Sequence, residues 1–565
     1  MSEKAEPKVD LDANQVASSE FERGTPGQTD GLPEQQPGNP YQAPSQLPDS
    51  QFSDNASAGH TAVSDEAETS TGKIRDLSHP AFLGFLATQF FGAFNDNLFK
   101  QLLLLLAIPT AVAAGASEAG MLDATSVAAE SATVDSAASA GNATGAEGGA
   151  DLQGVATIVF GLPFVVFGGL AGYLADRLSK RTIIVSSKVA EIVIMALGML
   201  AFLATPSIGF AGLWIVLFLM GLQSTFFGPG KYGILPEMLP RSQLSKANGM
   251  VLMTTFVAII IGTAIAGPLK DSIVPPDMPR MQAASGLWIG SLVCVGIAVI
   301  GTVTSLAIIR LPAAEPNLKL KTENLAVPKE MRTLLRKDKP LLLALLASCV
   351  FWLIAGLTIQ SVNSLSKVQL AQTDTWTSIL VALISVGIAI GGAVAGMLSR
   401  KISDNFVIQI GMWGTVLFCT LLSISVPGST DQPGQGHLLG FTGSIPALIF
   451  LGASAAFFAI PIQVFLQARP PHELKGRMIA VMNQANFFAI VLSGLVYSIL
   501  DRIITAADAP RSYLFAAMAL LFLPVAIFFK LDATDSETSN GETSNGETTD
   551  GENGQIIAEG APQSV

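Results

Sequence analysis

Between residues 80 and 530 the chain is a succession of apolar runs, each near the ~20 residues that an α-helix needs to cross a bilayer, divided by Gly, Pro or clustered charge. Hydrocarbon offers no partner for backbone N–H and C=O groups, so runs of this length cross it only as helices. The pattern predicts twelve of them, over 80–113, 152–175, 182–204, 208–230, 246–269, 284–309, 340–366, 376–398, 405–426, 442–466, 478–500 and 511–530. With 50% hydrophobic and only 13% charged residues, the 565-residue chain does not read as a soluble multidomain protein. The expected class is an all-α polytopic membrane protein.

The segments outside these runs read differently. Residues 1–78 and 531–565 are rich in polar and acidic residues and hold too few large apolar side chains to offset the entropy of ordering, so disordered tails are expected. The tails also carry the net charge of −12, residues 531–565 having eight acidic and no basic side chains, while the part between them is basic. The acidity therefore describes the tails and says nothing about a substrate. Cys294, Cys349 and Cys419 lie singly in apolar runs, which gives neither a disulfide framework nor a metal site. No cofactor and no nucleic-acid partner is expected, and no signal peptide precedes the first run. The Ala/Ser/Gly/Thr-rich stretch 116–150 reads as a flexible outer loop.

Lys and Arg concentrate in the loops that follow the second, fourth, sixth, eighth and tenth runs, so the positive-inside rule places both termini in the cytoplasm. The basic linker 311–339 divides the runs six and six, predicting two bundles, 79–310 and 340–530, of the kind built from internal repeats in transporters. A trace of the repeat is visible. FFGPGKYGILPEMLPRSQL from Phe226 and FFAIPIQVFLQARPPHELK from Phe457 match at Phe, Pro and Leu positions.

The first run holds the costliest residues. AFLGFLATQFFGAFNDNLFKQLLLLLA, 81–107, contains Asn95, Asp96, Asn97 and Lys100. A charge at bilayer depth costs about 3 kcal/mol or more, so these groups face a protein interior or an aqueous path. Asp96 and Lys100 are four apart and share a helical face with Gln89 and Gly92, so this helix is expected to line a cavity. Gln223, Gln360, Asn363 and Asn483 interrupt other runs; each either lines the cavity or hydrogen-bonds a neighbouring helix. Lys188 and Glu191, spaced i,i+3, are a possible ion pair. Gly262, Gly267 and Pro268 in the fifth run suit close helix packing and a kink. Phe90, Phe91, Phe94 and Phe99 surround the polar island and suit an amphipathic ligand, or else face lipid or core.

Gly172-Tyr-Leu-Ala-Asp176-Arg177-Leu-Ser-Lys180-Arg181 fits the pattern GxxxDRxx(K/R)R between the second and third runs, and here the chain resembles the major facilitator superfamily. That resemblance implies two six-helix bundles around a central cavity bordered by the first, fourth, seventh and tenth helices. Gly172 would let helices approach, Asp176 would accept at the N-terminal end of a neighbouring helix, and Arg177, Lys180 and Arg181 would pair with acids. The group then forms a gate, joined by Lys231 and Glu237 of the fourth run; the alternative is a plain positive-inside anchor. Arg400 stands where the second half would repeat Asp176, so a gate there must be built differently.

QFFGAFNDNLFKQLLLL from Gln89, together with FFGPGKYGILPEMLPRSQLSKANGM from Phe226, resembles more narrowly the lysophospholipid transporter family, which includes transporter domains fused to acyl-transferring enzymes. The resemblance implies alternating-access movement of lysophospholipids, such as lysophosphatidylethanolamine, across the inner membrane for reacylation on the cytoplasmic side. Asp96, Lys100, Asn95 and Asn97 would then meet the head group, and the partners would be the substrate and membrane lipids. His60 and Asp65 have the spacing of an acyltransferase pair but lie in the N-terminal tail, so the chain is expected not to be an enzyme and any acyltransferase to be a separate protein. An ion-coupled transporter of another small amphipathic solute, with Asp96 or Glu191 as proton carrier, stays open.

Overall fold

The computed structural model describes residues 74, 76–109, 150–275, 278–319, 329–399, 401–426, 436–471 and 474–531. The expectations for most of both tails, for the loop 116–149, for His60 and Asp65 and for Arg400 lie outside the described residues. Twelve long helices run through the described part. They are α1 (Pro80–Ala107), α2 (Gln153–Arg177), α3 (Lys180–Ile208), α4 (Ala211–Met238), α5 (Arg241–Ile273), α6 (Arg280–Leu306), α7 (Lys339–Gln369), α8 (Asp374–Leu398), α9 (Asp404–Ser423), α10 (Gly440–Ala468), α11 (Lys475–Ala506) and α12 (Tyr513–Phe528). Ten of these are long and apolar enough to cross a membrane; α1, with its charged island, and the 16-residue α12 complete the set. A short helix, Lys329–Lys337, sits in the segment joining α6 to α7.

Local chemistry explains where these helices stop. His79 Nδ1 accepts the amide of Ala81 and Pro80 fills the first turn of α1, where its missing N–H costs nothing. The same helix ends at Ala107, short of the expected 113, because Ile108 precedes Pro109 and is held extended. Asp338 caps α7 by accepting the Leu341 amide, and Thr373 caps α8. The expected stop at Gly230 fails, and α4 continues to Met238 with Pro229 and Pro236 inside it. Packing against neighbouring helices overrides the local breakers there. The sixth run is broken at Leu287 into Arg280–Gly286 and Trp288–Leu306.

The two halves repeat one packing plan. In the first half α1 packs on α5 and α6, α2 on α4, and α3 on α4 and α6; in the second α7 packs on α11 and α12, α8 on α10, and α9 on α10 and α12. Adding six to each helix number turns one set into the other, as an internal repeat requires. The halves meet through α2 with α11 and α5 with α8, a reciprocal pairing. Small residues permit it. A Cβ on Gly267 of α5 would stand 2.0 Å from the Asp374 carbonyl oxygen of α8, and one on Gly494 of α11 would stand 2.5 Å from the Gly154 carbonyl oxygen of α2.

Contacts between helix ends define two faces. At the distal end, α1 stops against the start of α6, Arg280 Nε donating to the Leu106 carbonyl at 2.8 Å, and α5 stops against the start of α8. At the proximal end, Lys180 at the start of α3 pairs with Glu237 near the end of α4, and Asn405 at the start of α9 exchanges two hydrogen bonds with Leu531 beyond α12. One expectation is corrected here. The last residues of the N-terminal tail are packed: Ile74 donates to the Met238 carbonyl at 3.0 Å, and Ile74 and Leu77 are buried with Leu235, Met238 and Ile308. Two apolar side chains suffice to tie this end of the tail to α4 and α6.

Candidate functional site

The α1 island is built into the first bundle in two layers. Asn95 is wholly buried and donates to Glu191 Oε1 of α3 at 2.7 Å. Glu191 also takes Lys188 in an ion pair whose side chains are each 1% exposed. Gln223 of α4 donates to the Ser187 carbonyl at 3.1 Å and lies 3.5 Å from Glu191 Oε2. Gly92 makes room for the ammonium, since a Cβ there would stand 2.5 Å from Lys188 Nζ. Lys188, Glu191, Asn95 and Gln223 therefore form a buried knot around a charge pair, linked to the second layer by Ser224, whose hydroxyl lies 3.1 Å from Gln223 Oε1.

The second layer is more open. Asp96, Asn97 and Lys100 are each half-buried. Asp96 Oδ2 accepts the Ser224 hydroxyl at 2.7 Å, while its Oδ1 has no hydrogen-bond partner among the described residues. Asp96 and Lys100 form no ion pair with each other. Lys100 Nζ lies instead 5.4 Å from the centre of the Phe160 ring on α2. Asn97 turns its amide back to the Ala93 carbonyl at 2.7 Å. Gln89 and Lys231 meet over one hydroxyl, donating to Thr255 Oγ1 of α5 at 3.1 and 3.2 Å, and the Gln89 oxygen is left without a donor. Two opposite charges one turn apart, with no ion pair between them, are thus held half-buried in the first bundle.

An aromatic wall leads away from it. Phe160 packs on Phe164 with centroids 5.7 Å apart, and Phe164 stacks on Phe487 of α11 at 3.8 Å and 5°. The wall begins at the Lys100 ammonium and crosses from α2 to the second bundle. Of the phenylalanines around the island, Phe90 packs on Phe91 and Phe94, whereas Phe99 is fully buried against Phe202 in the core.

Gln360 and Asn363 make no hydrogen bond to Asn95, Asp96, Asn97 or Lys100. They belong to a buried polar seam at the distal end, where Asn363 accepts from Gln101 of α1 at 3.0 Å and donates to Gln153 Oε1 of α2 at 2.9 Å. Gln153 Nε2 reaches the Gln360 carbonyl at 3.4 Å and Tyr497 Oη of α11 at 3.1 Å, and Tyr497 donates to Asp151 at 2.7 Å. Beside it, Asp374 of α8 takes Lys270 of α5 at 2.7 Å and Lys367 of α7 at 2.6 Å, and Asp271 accepts the amide and hydroxyl of Thr375 at 2.8 and 2.6 Å. These contacts lock the two halves together at the distal end. Sequence reasoning missed Gln101, Asp151, Gln153, Lys270, Lys367, Asp374 and Tyr497. The available signal was the crowding of polar residues at the ends of the fifth and seventh runs.

The proximal motif is arranged around the first bundle's own helices. Lys180 pairs with Glu237, Arg181 Nε donates to the Ile308 carbonyl at 2.6 Å, and Arg177 donates to Tyr173 Oη at 2.8 Å. Two expectations change. A Cβ on Gly172 would meet nothing within 4 Å, so no helix approaches there. Asp176 is exposed, and its carboxylate makes no hydrogen bond or ion pair among the described residues, while its carbonyl accepts the Glu315 amide of the linker at 2.9 Å. Asn483 is likewise exposed on α11, near Gln484, which donates to the Val165 carbonyl at 3.1 Å.

A family model described as Major Facilitator Superfamily matches residues 121–494. The chain belongs to the major facilitator superfamily. It is a multi-pass membrane transporter. Among its relatives, the lysophospholipid transporter LplT of Klebsiella pneumoniae is 27% identical over 352 residues, covering 61% of this chain and 79% of the relative. LplT of Yersinia pestis is 27% identical over 361 residues, covering 62% and 78%. Solved structures show the same fold: a POT family transporter in complex with 5-aminolevulinic acid has a TM-score of 0.55 at 12% identity, over 80% of this chain and 96% of that one. The xylose transporter XylE of E. coli in an inward-open conformation has a TM-score of 0.50 at 14% identity, over 80% and 97%.

Proposed function

We propose that this transporter moves lysophospholipids across the inner membrane, with both termini in the cytoplasm, and that the structure is its inward-facing state. Loop charge supports the orientation: Arg177, Lys180, Arg310, Arg332, Arg336 and Lys475 all belong to the proximal end, which then faces the cytoplasm. The distal seam is accordingly the closed outer gate. Exposed Asp176 and exposed Asn483 support an open inner side.

The observation that carries the substrate is the pair Asp96 and Lys100, opposite in charge, one turn apart and not bonded to each other. A zwitterionic head group places its ammonium near the half-buried Asp96 carboxylate and its phosphate near Lys100. The single acyl chain then lies along Phe160, Phe164 and Phe487. Relatives named as lysophospholipid transporters support the same class. The chain does no acyl transfer in this reading; a separate acyltransferase consumes the delivered lipid. Uptake of lysophosphatidylethanolamine by spheroplasts with Asp96→Ala and Lys100→Ala tests the site, and undiminished rates at equal expression refute it.

A second reading rests on the unpartnered Asp96 Oδ1. A carboxylate in the bundle with one buried, unpartnered oxygen suits a proton carrier for an ion-coupled transporter of another amphipathic solute. Flux that follows an imposed pH gradient and ignores lysolipids would select it.

A further inference from the structure

The short helix Lys329–Lys337 between the bundles is two-sided. Met331 and Leu335, one turn apart, are buried against the second bundle, with Leu334 half-buried beside them. Lys329, Arg332 and Arg336, at i, i+3 and i+7, are exposed along the other side, and Lys337 is exposed next to them. The helix is pinned through other residues: Glu330 pairs with Arg477 at the start of α11, and Asp338, just beyond the helix, pairs with Arg469 after α10. Those pairings consume neighbouring acids. Among the described residues no hydrogen bond or ion pair reaches the side chains of Lys329, Arg332, Arg336 or Lys337. A row of like charges is thus held on a fixed helix without counter-charge.

We propose that this basic face docks the chain's own acidic C-terminal segment, residues 532–565. Three observations support that occupant over an external one. Its attachment point is on the same end of the molecule, since Leu531 is buried and tied to Asn405 at the start of α9 by hydrogen bonds of 2.7 and 2.8 Å. Its charge is complementary: eight acids and no base, with Glu537, Glu542, Glu547 and Glu552 recurring every fifth residue. Its length gives reach, since 21 residues, as from Leu531 to Glu552, span about 25 Å root-mean-square as a random coil. Tethering supplies a high effective concentration, so weak exposed pairs add up to a populated contact. The buried apolar side of the helix points its basic side away from the bundle. Docking here places the segment on the connection between halves that must move relative to one another.

The test uses the full-length protein in neutral detergent. Trypsin cleavage after Arg332 and Arg336 is timed for the native chain and for Glu537→Gln/Glu542→Gln/Glu547→Gln/Glu552→Gln, a change confined to residues outside the bundle. The native chain is expected to be cleaved roughly tenfold more slowly at low salt, the factor that about 1.4 kcal/mol gives. The difference vanishes at 0.5 M salt, where exposed pairs are screened. Zero-length carbodiimide coupling should join these glutamates to Lys329 or Lys337. Equal cleavage rates with no such cross-link overturn the proposal. So does protection that appears only in phosphatidylglycerol vesicles and is the same in both chains, which assigns the face to lipid head groups.

Discussion

Asp374→Asn should open the distal end of this transporter. The carboxylate holds two ammonium groups from different helices, Lys270 of the first half at 2.7 Å and Lys367 of the second at 2.6 Å, with side-chain exposures of 9%, 6% and 12%. Removing the acid leaves two buried cations facing one another. Breaking a buried pair from one side costs about 3–5 kcal/mol. The cost falls on the distal-closed state, because separation of α5 from α8 lets water reach both lysines. Even about 2 kcal/mol shifts a two-state balance roughly thirtyfold. Spin labels at Ser272→Cys and Trp376→Cys, both exposed at the distal ends of α5 and α8, report the separation in a background with Cys294→Ala, Cys349→Ala and Cys419→Ala. The native distribution should be short and single, and Asp374→Asn should add a dominant longer distance. Lys270→Met in the same chain removes one of the two like charges and should restore part of the short population. An unchanged distribution in Asp374→Asn refutes the assignment of this seam as a gate.

Three further predictions follow from the first bundle and the interface. Glu191→Gln strands Lys188 in the knot and should destabilise the protein by about 3–5 kcal/mol, read as a lower Tm in detergent, whereas Glu191→Gln with Lys188→Met should recover most of it. Asp96→Ala should leave the Tm nearly unchanged but cut lysophosphatidylethanolamine flux roughly ten- to a hundredfold, the range expected for about 1.5–3 kcal/mol of a charged hydrogen bond. Gly267→Leu cannot coexist with the Asp374 carbonyl 2.0 Å from its Cβ, so α5 and α8 must part, and the same spin-label pair should lose its short distance.

How far the residues alone reach is seen by comparing Asp96 with Asp374. Asp96 stands in the middle of an apolar run, where its cost demands a special surrounding, and the structure places it half-buried beside Ser224. Asp374 stands at a run end, where an acid reads as a loop or cap residue; its partner Lys270 is 104 residues away in the other half. Nothing in one helix's periodicity specifies a partner across a repeat. The same limit separates Asn95 from Asp96. Both are polar neighbours in sequence, yet the 100° turn between them sends one into a buried knot with Glu191 and leaves the other half-exposed. Gln360 and Asn363 read as lining the cavity or as bonding a neighbouring helix; the second holds, Asn363 joining Gln101 and Gln153 and the Gln360 carbonyl accepting from Gln153, partners that no single run's pattern names. The helix count and the six-and-six division were readable because bilayer length and hydropathy act on each run independently.

Purified protein in proteoliposomes decides whether Asp96 and Lys100 receive a lysophospholipid head group. Flux of lysophosphatidylethanolamine, other lysolipids and unrelated amphipathic solutes is measured side by side, with Asp96→Ala and Lys100→Ala as controls. Rapid transfer of the lysolipid with no imposed pH gradient, lost in both variants, is expected. Lysolipid transfer no faster than in protein-free vesicles, alongside gradient-driven flux of another solute, would contradict it.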